Sequence, residues 1–348
     1  MSKRPYEFRG NAYRKIDNLD AWTRQRREDA LEPDLPIIDP HHHILDDERG
    51  RYLLDEFAAD VRTGHNIVST VVVECGSMYR ADGAEAEKPV GEVEFLNGVA
   101  AMSANGRYGK ARIAGIVGHA DLMLGDNVQP VLEALIAAGN GRLRGIRHGM
   151  IWDVGNAARF GRHQVSQHQM LDPAFRRGFA RLHSLGLSFD VWIFHPQLPD
   201  LADLLRAAPD ANVVLCHSGG VLGIAPHQNR SEAFRLWAQH IHALAKFPNL
   251  TIKVGGLGML YCGWEFHLND LPPSSEELAT AWRPYVETCI EAFGVNRCMM
   301  ESNFPVDKQS CAYGELWNAL KRITRECSSA EKAALYRDTA ARVYRLPP

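Results

Sequence analysis

The chain has 348 residues, of which 45% are hydrophobic and 23% charged; this globular composition excludes wholesale disorder. The formal net charge is −3, with 39 Lys and Arg against 42 Asp and Glu, so the sequence lacks the basic footprint of a nucleic-acid or membrane-surface protein. No apolar run approaches the ~18 residues that span a bilayer, and the polar N-terminus lacks the apolar core of a secretory signal. Seven scattered cysteines without a CxxC pair indicate reduced thiols, so we expect a cytoplasmic protein that acts on a small molecule.

The predicted elements alternate between short apolar strands and longer helices. Residues 1–33 are charged and poor in apolar periodicity, so we interpret them as an N-terminal extension to one domain over residues 34–348. Eight strands are predicted, at Leu35–Asp39, Val68–Glu74, Arg112–Val117, Leu143–Arg147, Leu187–Ile193, Val213–Cys216, Leu250–Val254 and Arg297–Met300. Eight helices are predicted, at Val90–Asn105, Val128–Ala138, Asp172–Leu185, Leu198–Ala207, Ser231–Lys246, Ser275–Phe293, Tyr313–Glu326 and Ser329–Tyr344.

Eight strands that alternate with helices predict an α/β fold of the (β/α)8 barrel type. A doubly wound sheet is the competing architecture, but no strand-to-helix turn carries its GxGxxG fingerprint. Two predicted connections, Tyr79–Pro89 and Gly149–Leu171, are too long for simple turns and follow strand ends. Such loops are either lids over the functional face of a barrel or surface insertions, and the sequence leaves both open.

The strongest local signal is the run of three histidines that follows the first predicted strand. Side chains two apart on a strand point to the same face, so His41 and His43 converge while His42 faces away. Two neutral imidazoles that converge are typical ligands of zinc. A lone HxH also arises by chance, but its position at the end of the first strand favours a site.

Polar residues also end several other predicted strands. They are Glu74 after the second, Arg147 and His148 after the fourth, His195 after the fifth, His217 after the sixth, and Glu301, Asn303 and Asp307 after the eighth. Each one alone is as readily a structural residue. Together they lie at the face of a barrel where active sites are built.

The motifs DPHHH, LCHSGG and ESNFPVD, with His195, resemble the amidohydrolase superfamily. The resemblance is to the branch of 2-pyrone-4,6-dicarboxylate lactonase-like and related metal-dependent hydrolases and decarboxylases, and it runs from Pro36 to the C-terminus. It implies a distorted TIM barrel that binds one divalent metal ion, zinc or manganese. It further implies that His41, His43 and His195 are the metal ligands and that His217 is the catalytic histidine.

The chain departs from the family pattern at the eighth strand. Asn303 stands where the family has a metal-binding aspartate, and an amide is a weaker ligand that cannot act as a base. Glu301 and Asp307 are the nearby carboxylates. The family also contains lactonases that work without metal, so a second mechanism stays open in which Glu301 or Asp307 activates water and Asn303 orients it.

Arg147 is the expected handle for a substrate carboxylate, because a guanidinium binds carboxylates bidentately. Tyr79, Glu74 and Lys308 are further candidates for substrate contact. The leading hypothesis is therefore a hydrolase of a lactone, or a related ester or amide, of a small carboxylated compound. A non-oxidative decarboxylase and a ligand-binding barrel without catalysis are the alternatives, and a homo-oligomer is the default expectation for a barrel of this size.

Overall fold

A computed structural model describes residues 16–155, 157 and 165–347. Eight parallel strands form one sheet whose spatial order follows the chain. These strands are β1 (Pro36–His42), β4 (Asn66–Val73), β5 (Arg112–Gly118), β6 (Leu143–Gly149), β7 (Ser188–Trp192), β8 (Val213–Leu215), β9 (Leu250–Val254) and β10 (Cys298–Met300). A bridge between His42 and Phe304 joins β1 to the segment that follows β10, and this contact nearly closes the barrel. The predicted (β/α)8 barrel is confirmed.

Buried apolar residues supply most of the barrel wall, and helices cover it from outside. The longer helices in the described part of the chain are Val90–Ser103, Gln129–Gly139, Pro173–Ser184, Leu198–Ala207, Arg230–Leu244, Ser275–Phe293 and Tyr313–Ile323. Their ends follow local chemistry: Asp172 caps the helix that starts at Pro173, and Ser274 and Glu277 form a capping box. The predicted C-terminal helix is divided by a π-helical turn at Ala334–Asp338.

The sequence did not predict the helix Ile16–Thr23 or two elements that follow β1. A hairpin of β2 (Leu45–Asp47) and β3 (Gly50–Tyr52) follows β1, and the helix Leu54–Val61 comes directly after it. Its strands, LDD and GRY, are mostly polar, so they lack the apolar run that marks the equally short β8 and β10.

The described part of the N-terminal extension packs against the helix Tyr313–Ile323. The backbone amide of Leu31 donates to Asn318 at 2.8 Å, and Lys321 donates to the carbonyl oxygens of Leu31 and Glu32. The helix Ile16–Thr23 precedes this segment. Within residues 16–155, 157 and 165–347, no helix is long and apolar enough to cross a membrane.

Candidate active site

The alternation along β1 separates its histidines as the strand period predicts. His42 stacks on Phe57 and its Nε2 lies 2.9 Å from the Thr70 hydroxyl. His41 and His43 have ring centroids 5.0 Å apart, and both are buried. The His43 amide donates to the Phe304 carbonyl at 2.7 Å, which joins the end of β1 to the segment that follows β10. The closure of the barrel therefore fixes the positions of both rings.

The centre of the site is a triangle of His41, His217 and Glu301. One ligand atom from each residue lies within 4.8 Å of the others, and all three side chains are buried. Glu301 Oε1 lies 2.8 Å from His217 Nδ1 and accepts from the His217 amide at 3.0 Å. Glu301 Oε2 lies 3.1 Å from His41 Nδ1 without the geometry of a hydrogen bond.

A strained turn after β8 presents His217. His217 and Ser218 both have left-handed backbones, with φ of 57° and 51°. The Ser218 hydroxyl donates to the Gly255 carbonyl at 3.1 Å, which ties the turn to the end of β9. Non-glycine residues adopt this conformation at a cost, and such strain is found mainly at functional sites.

Burial sets the charge states of the triangle. Desolvation raises the pKa of Glu301 to about 8, although Lys253 opposes the shift. Desolvation also lowers the pKa values of His41 and His217 well below the ordinary histidine value, and the nearby cations Lys253 and Arg147 add to this effect. Both imidazoles are therefore neutral near pH 7, which is the state of a base or a metal ligand.

A buried lysine lies beneath the triangle. Lys253 in β9 has its Nζ 3.2 Å from His41 Nδ1 and donates to Asp190 in β7 at 2.7 Å. The Tyr344 hydroxyl donates to the same carboxylate. We did not predict a role for Lys253 or Asp190, yet each is a lone charged residue inside an apolar strand, LTIKV and SFDVW, and that is a usable signal.

Arg147 and Glu74 form a second buried ion pair, with Arg147 Nε donating to Glu74 Oε1 at 2.6 Å. Arg147 also donates to the Glu74 carbonyl, and its Nη1 lies 3.2 Å from His41 Nε2. Burial acts to raise the pKa of Glu74, but the charge and hydrogen bond of Arg147, together with His119 and His43, lower it to about 2. The expected carboxylate handle is thus already paired within the chain.

His43 and His195 lie outside the triangle. His43 donates from Nδ1 to the Val73 carbonyl at 2.9 Å, which leaves the lone pair on its Nε2. His195 Nδ1 lies 3.2 Å from the Leu222 amide, and its ring centroid is 5.1 Å from that of His227. His195 Nε2 is buried without a hydrogen-bond partner among the described residues. The ligand roles of His43 and His195 stay predictions.

The chain after β10 turns Asn303 away from the line of the strand. Asn303 has a φ of 55°, and its side-chain amide donates to Asp307 Oδ1 at 2.8 Å. Asp307 Oδ2 accepts from the Gly258 amide at 2.8 Å. Burial raises the pKa of Asp307 well above its ordinary value. Because the strand ends at Met300, Glu301 and Asn303 both follow the strand, and of these two only Glu301 belongs to the triangle.

Lys308 and Tyr79 are the remaining candidate residues, and neither belongs to the triangle. Lys308 donates to Asp60 at 2.8 Å and pairs with Asp20, so two carboxylates balance its charge. Tyr79 is half-buried in the loop after β4. In the long connection after β6, the basic residues Arg159, Arg162 and His163 lie outside the described residues, while His168 pairs with Asp200. The predicted lids therefore stay predictions.

The triangle fits a divalent metal ion. Two imidazoles and a carboxylate form a donor set that zinc prefers. Glu301 Oε2 is a buried acceptor without a hydrogen-bond partner in the described chain, which is the state of an oxygen that takes a proton or a cation. His43, with its Nδ1 fixed on a backbone carbonyl, has the outer hydrogen bond typical of ligating histidines.

Comparisons with known proteins match most of the chain to one family. A family model for amidohydrolases matches residues 38–346. An uncharacterized protein of Sinorhizobium fredii is 33% identical over 90% of this chain and 99% of its own length. The L-fucono-1,5-lactonase of Burkholderia multivorans is 30% identical over 68% of this chain and 73% of its own length. Two solved structures of an amidohydrolase of Burkholderia multivorans, one with bound HEPES and one with bound zinc, each have a TM-score of 0.68. Their sequence identities are 25% and 24%, and each comparison covers 89% of this chain and 99% of that protein's chain.

Proposed function

The chain belongs to the amidohydrolase family, and we propose that it opens a small lactone by hydrolysis of its ring ester, with a divalent metal ion, zinc first, as the cofactor. The family assignment confirms the resemblance seen in the sequence and makes the chain an enzyme of the amidohydrolase superfamily. The observation that carries the proposal is the buried contact of 2.8 Å between His217 Nδ1 and Glu301 Oε1. A carboxylate that orients a histidine in this way is the arrangement of a general base.

His217 has the leading role in the reaction. Its Nδ1 proton is held by Glu301, so its Nε2 lone pair is available to accept a proton from water. The water oxygen forms a bond to the lactone carbonyl carbon, and the ring C–O bond then breaks. The proton on His217 Nε2 passes to the departing ring oxygen, which gives an open-chain hydroxy acid.

The other residues of the site hold this pair in place. His41 and His43 would bind the metal together with Glu301, and a bound divalent ion polarises the carbonyl and lowers the pKa of water. Asn303 and Asp307 support the turn after β10, and Asp307 also binds the Gly258 amide. His195 Nε2 is a further candidate for contact with metal or substrate, because it is buried without a partner in the described part of the chain.

The charges of the site favour a lactone that carries hydroxyl groups in place of a carboxylate. Arg147 is paired with Glu74, and Lys308 is paired with Asp60 and Asp20. Neither cation is left unbalanced for an acidic substrate. A relative that acts on a sugar-derived 1,5-lactone points in the same direction. We therefore propose aldonolactones ahead of the carboxylated lactones that the sequence alone suggested.

The test is turnover on matched panels of sugar 1,5-lactones and carboxylated lactones, followed with a pH indicator. We expect His217→Gln to lose roughly 10²–10⁴-fold in kcat, the usual contribution of a general acid or base. His183→Gln, at an exposed histidine on the helix Pro173–Ser184, is the matched control and should keep wild-type activity. Full turnover by His217→Gln on a lactone that the wild type opens would overturn the mechanism. No turnover of any lactone would overturn the function.

A further inference from the structure

Both ring nitrogens of His41 face a cation. Arg147 Nη1 lies 3.2 Å from Nε2, and Lys253 Nζ lies 3.2 Å from Nδ1. A neutral imidazole has one nitrogen lone pair, so a metal ion that binds His41 must displace one of these contacts. Glu301 Oε2, which has no hydrogen-bond partner among the described residues, lies on the Nδ1 side, 3.1 Å from that nitrogen. The contact in competition with a metal is therefore that of Lys253.

Lys253 cannot easily withdraw from this position. Its side chain is fully buried, and its Nζ donates to Asp190 at 2.7 Å. Asp190 is held in turn by the hydroxyls of Tyr344 and Ser188. A buried ammonium is stable only with such a counter-charge, which the Asp190 carboxylate supplies. The amine is thus a permanent positive charge beside the site.

We propose that Lys253 is a positioning residue whose ammonium group holds His41 in place. The same positive charge competes with the metal ion for the space beside His41 Nδ1. The inference rests on the metal site of the proposed function. Like charges repel strongly at short range inside a protein, so the Lys253 charge lowers the zinc affinity of a site formed at His41 and Glu301.

The test measures zinc affinity on the full-length chain after chelator treatment, by competition with a chromophoric chelator. Lys253→Met removes the charge and keeps an unbranched apolar side chain. We expect it to bind zinc at least about tenfold more tightly than the wild type, since a repulsive charge close to the ion is gone. Lys253→Arg, which keeps the charge, is the matched control and should bind zinc like the wild type.

If Lys253 had only a structural role, its replacement would leave the zinc affinity unchanged or weaken it. Equal or weaker zinc binding by Lys253→Met therefore overturns the inference, as does a tenfold gain in Lys253→Arg. If Lys253→Met does not fold because Asp190 is left unpaired, the double variant Asp190→Asn with Lys253→Met decides by the same criterion. Lactone turnover by the wild type is measured separately, so failure of the proposed function is seen independently of zinc affinity.

Discussion

Titratable side chains in the interior of this barrel lie in pairs, and the pairs differ in their charge states. Arg147 with Glu74 and Lys253 with Asp190 have opposite charges that balance. His217 with Glu301 is different, because burial favours neutral forms of both groups. The two ion pairs hold the residues around the site in place. The His217–Glu301 pair is the one that we propose takes up and releases a proton during hydrolysis.

The Arg147–Glu74 pair gives a prediction about stability. Glu74→Gln leaves the Arg147 charge buried and uncompensated, and breaking a buried pair in this way costs about 3–5 kcal/mol. The free energy of unfolding in urea measures the loss. The control is Glu94→Gln in the exposed pair with Arg80, whose removal should leave the urea midpoint nearly unchanged. Equal midpoints for the two variants would show that the buried pair contributes nothing to the fold.

Residue types at strand ends could be predicted from the sequence, but their partners could not. The period of two in β1 separates His42 from His41 and His43 correctly. The grouping of Glu301 with His217 depends on where β10 ends and how the chain then turns, which a strand pattern does not encode. Arg147 lies 73 residues from Glu74, so the sequence offered no way to see that its charge is already balanced.

At the scale of elements, the loops after β8 and β9 interlock around His217. The turn at His217 and Ser218 binds Gly255, and Gly256 follows with a φ of 63°. A Cβ at Gly256 would lie 2.5 Å from His217 Cβ, closer than real atoms approach. The absence of a side chain at Gly256 is therefore what allows the His217 turn to reach its position.

Gly256→Ala should accordingly impair the reaction. The new methyl group must displace His217, and a misplacement of about 1 Å in a catalytic group can cost roughly a hundredfold in rate. Gly186→Ala is the matched control, because Gly186 has a similar φ of 66° but nothing within 4 Å of an added Cβ. Steady-state kcat on the lactone identified above is the measurement. If both variants lose the same activity, backbone strain and not the clash with His217 is responsible.

Helices with a clear apolar periodicity were predicted to within a few residues of their observed bounds. Elements without such a pattern were missed. The helices Leu198–Ala207 and Ser275–Phe293 have the predicted bounds. The hairpin at Leu45–Tyr52 was missed because its strands, LDD and GRY, carry no apolar run. The predicted C-terminal helix has the correct location, but its π-helical turn at Ala334–Asp338 leaves no mark on the apolar pattern.

At the scale of the whole molecule, the N-terminal extension, the start of β4 and the helix Tyr313–Ile323 meet at a buried histidine. His65 Nε2 donates to the Gly314 carbonyl at 3.0 Å, and its Nδ1 accepts from Lys321 at 2.9 Å. Lys321 also binds the backbone of Leu31 and Glu32, so one lysine joins three parts of the chain. These bonds require a neutral ring at His65.

His65 therefore makes stability depend on pH. Burial, with the nearby Lys321 charge, lowers its pKa in the folded state to about 4, against 6.5 in the unfolded chain. As the pH falls below 6.5 the unfolded state takes up the proton first, so the His65 contribution is fully present above pH 6.5 and is lost as the pH falls to about 4. The loss of stability from this one group is about 3 kcal/mol.

The measurement is the free energy of unfolding in urea, from pH 7 to pH 4, of the wild type, His65→Gln and the exposed control His183→Gln. Between these pH values the free energy of unfolding should fall by about 3 kcal/mol less in His65→Gln than in the wild type. His183→Gln should follow the wild type. Parallel pH curves for all three proteins would show that His65 is protonated without cost to the fold.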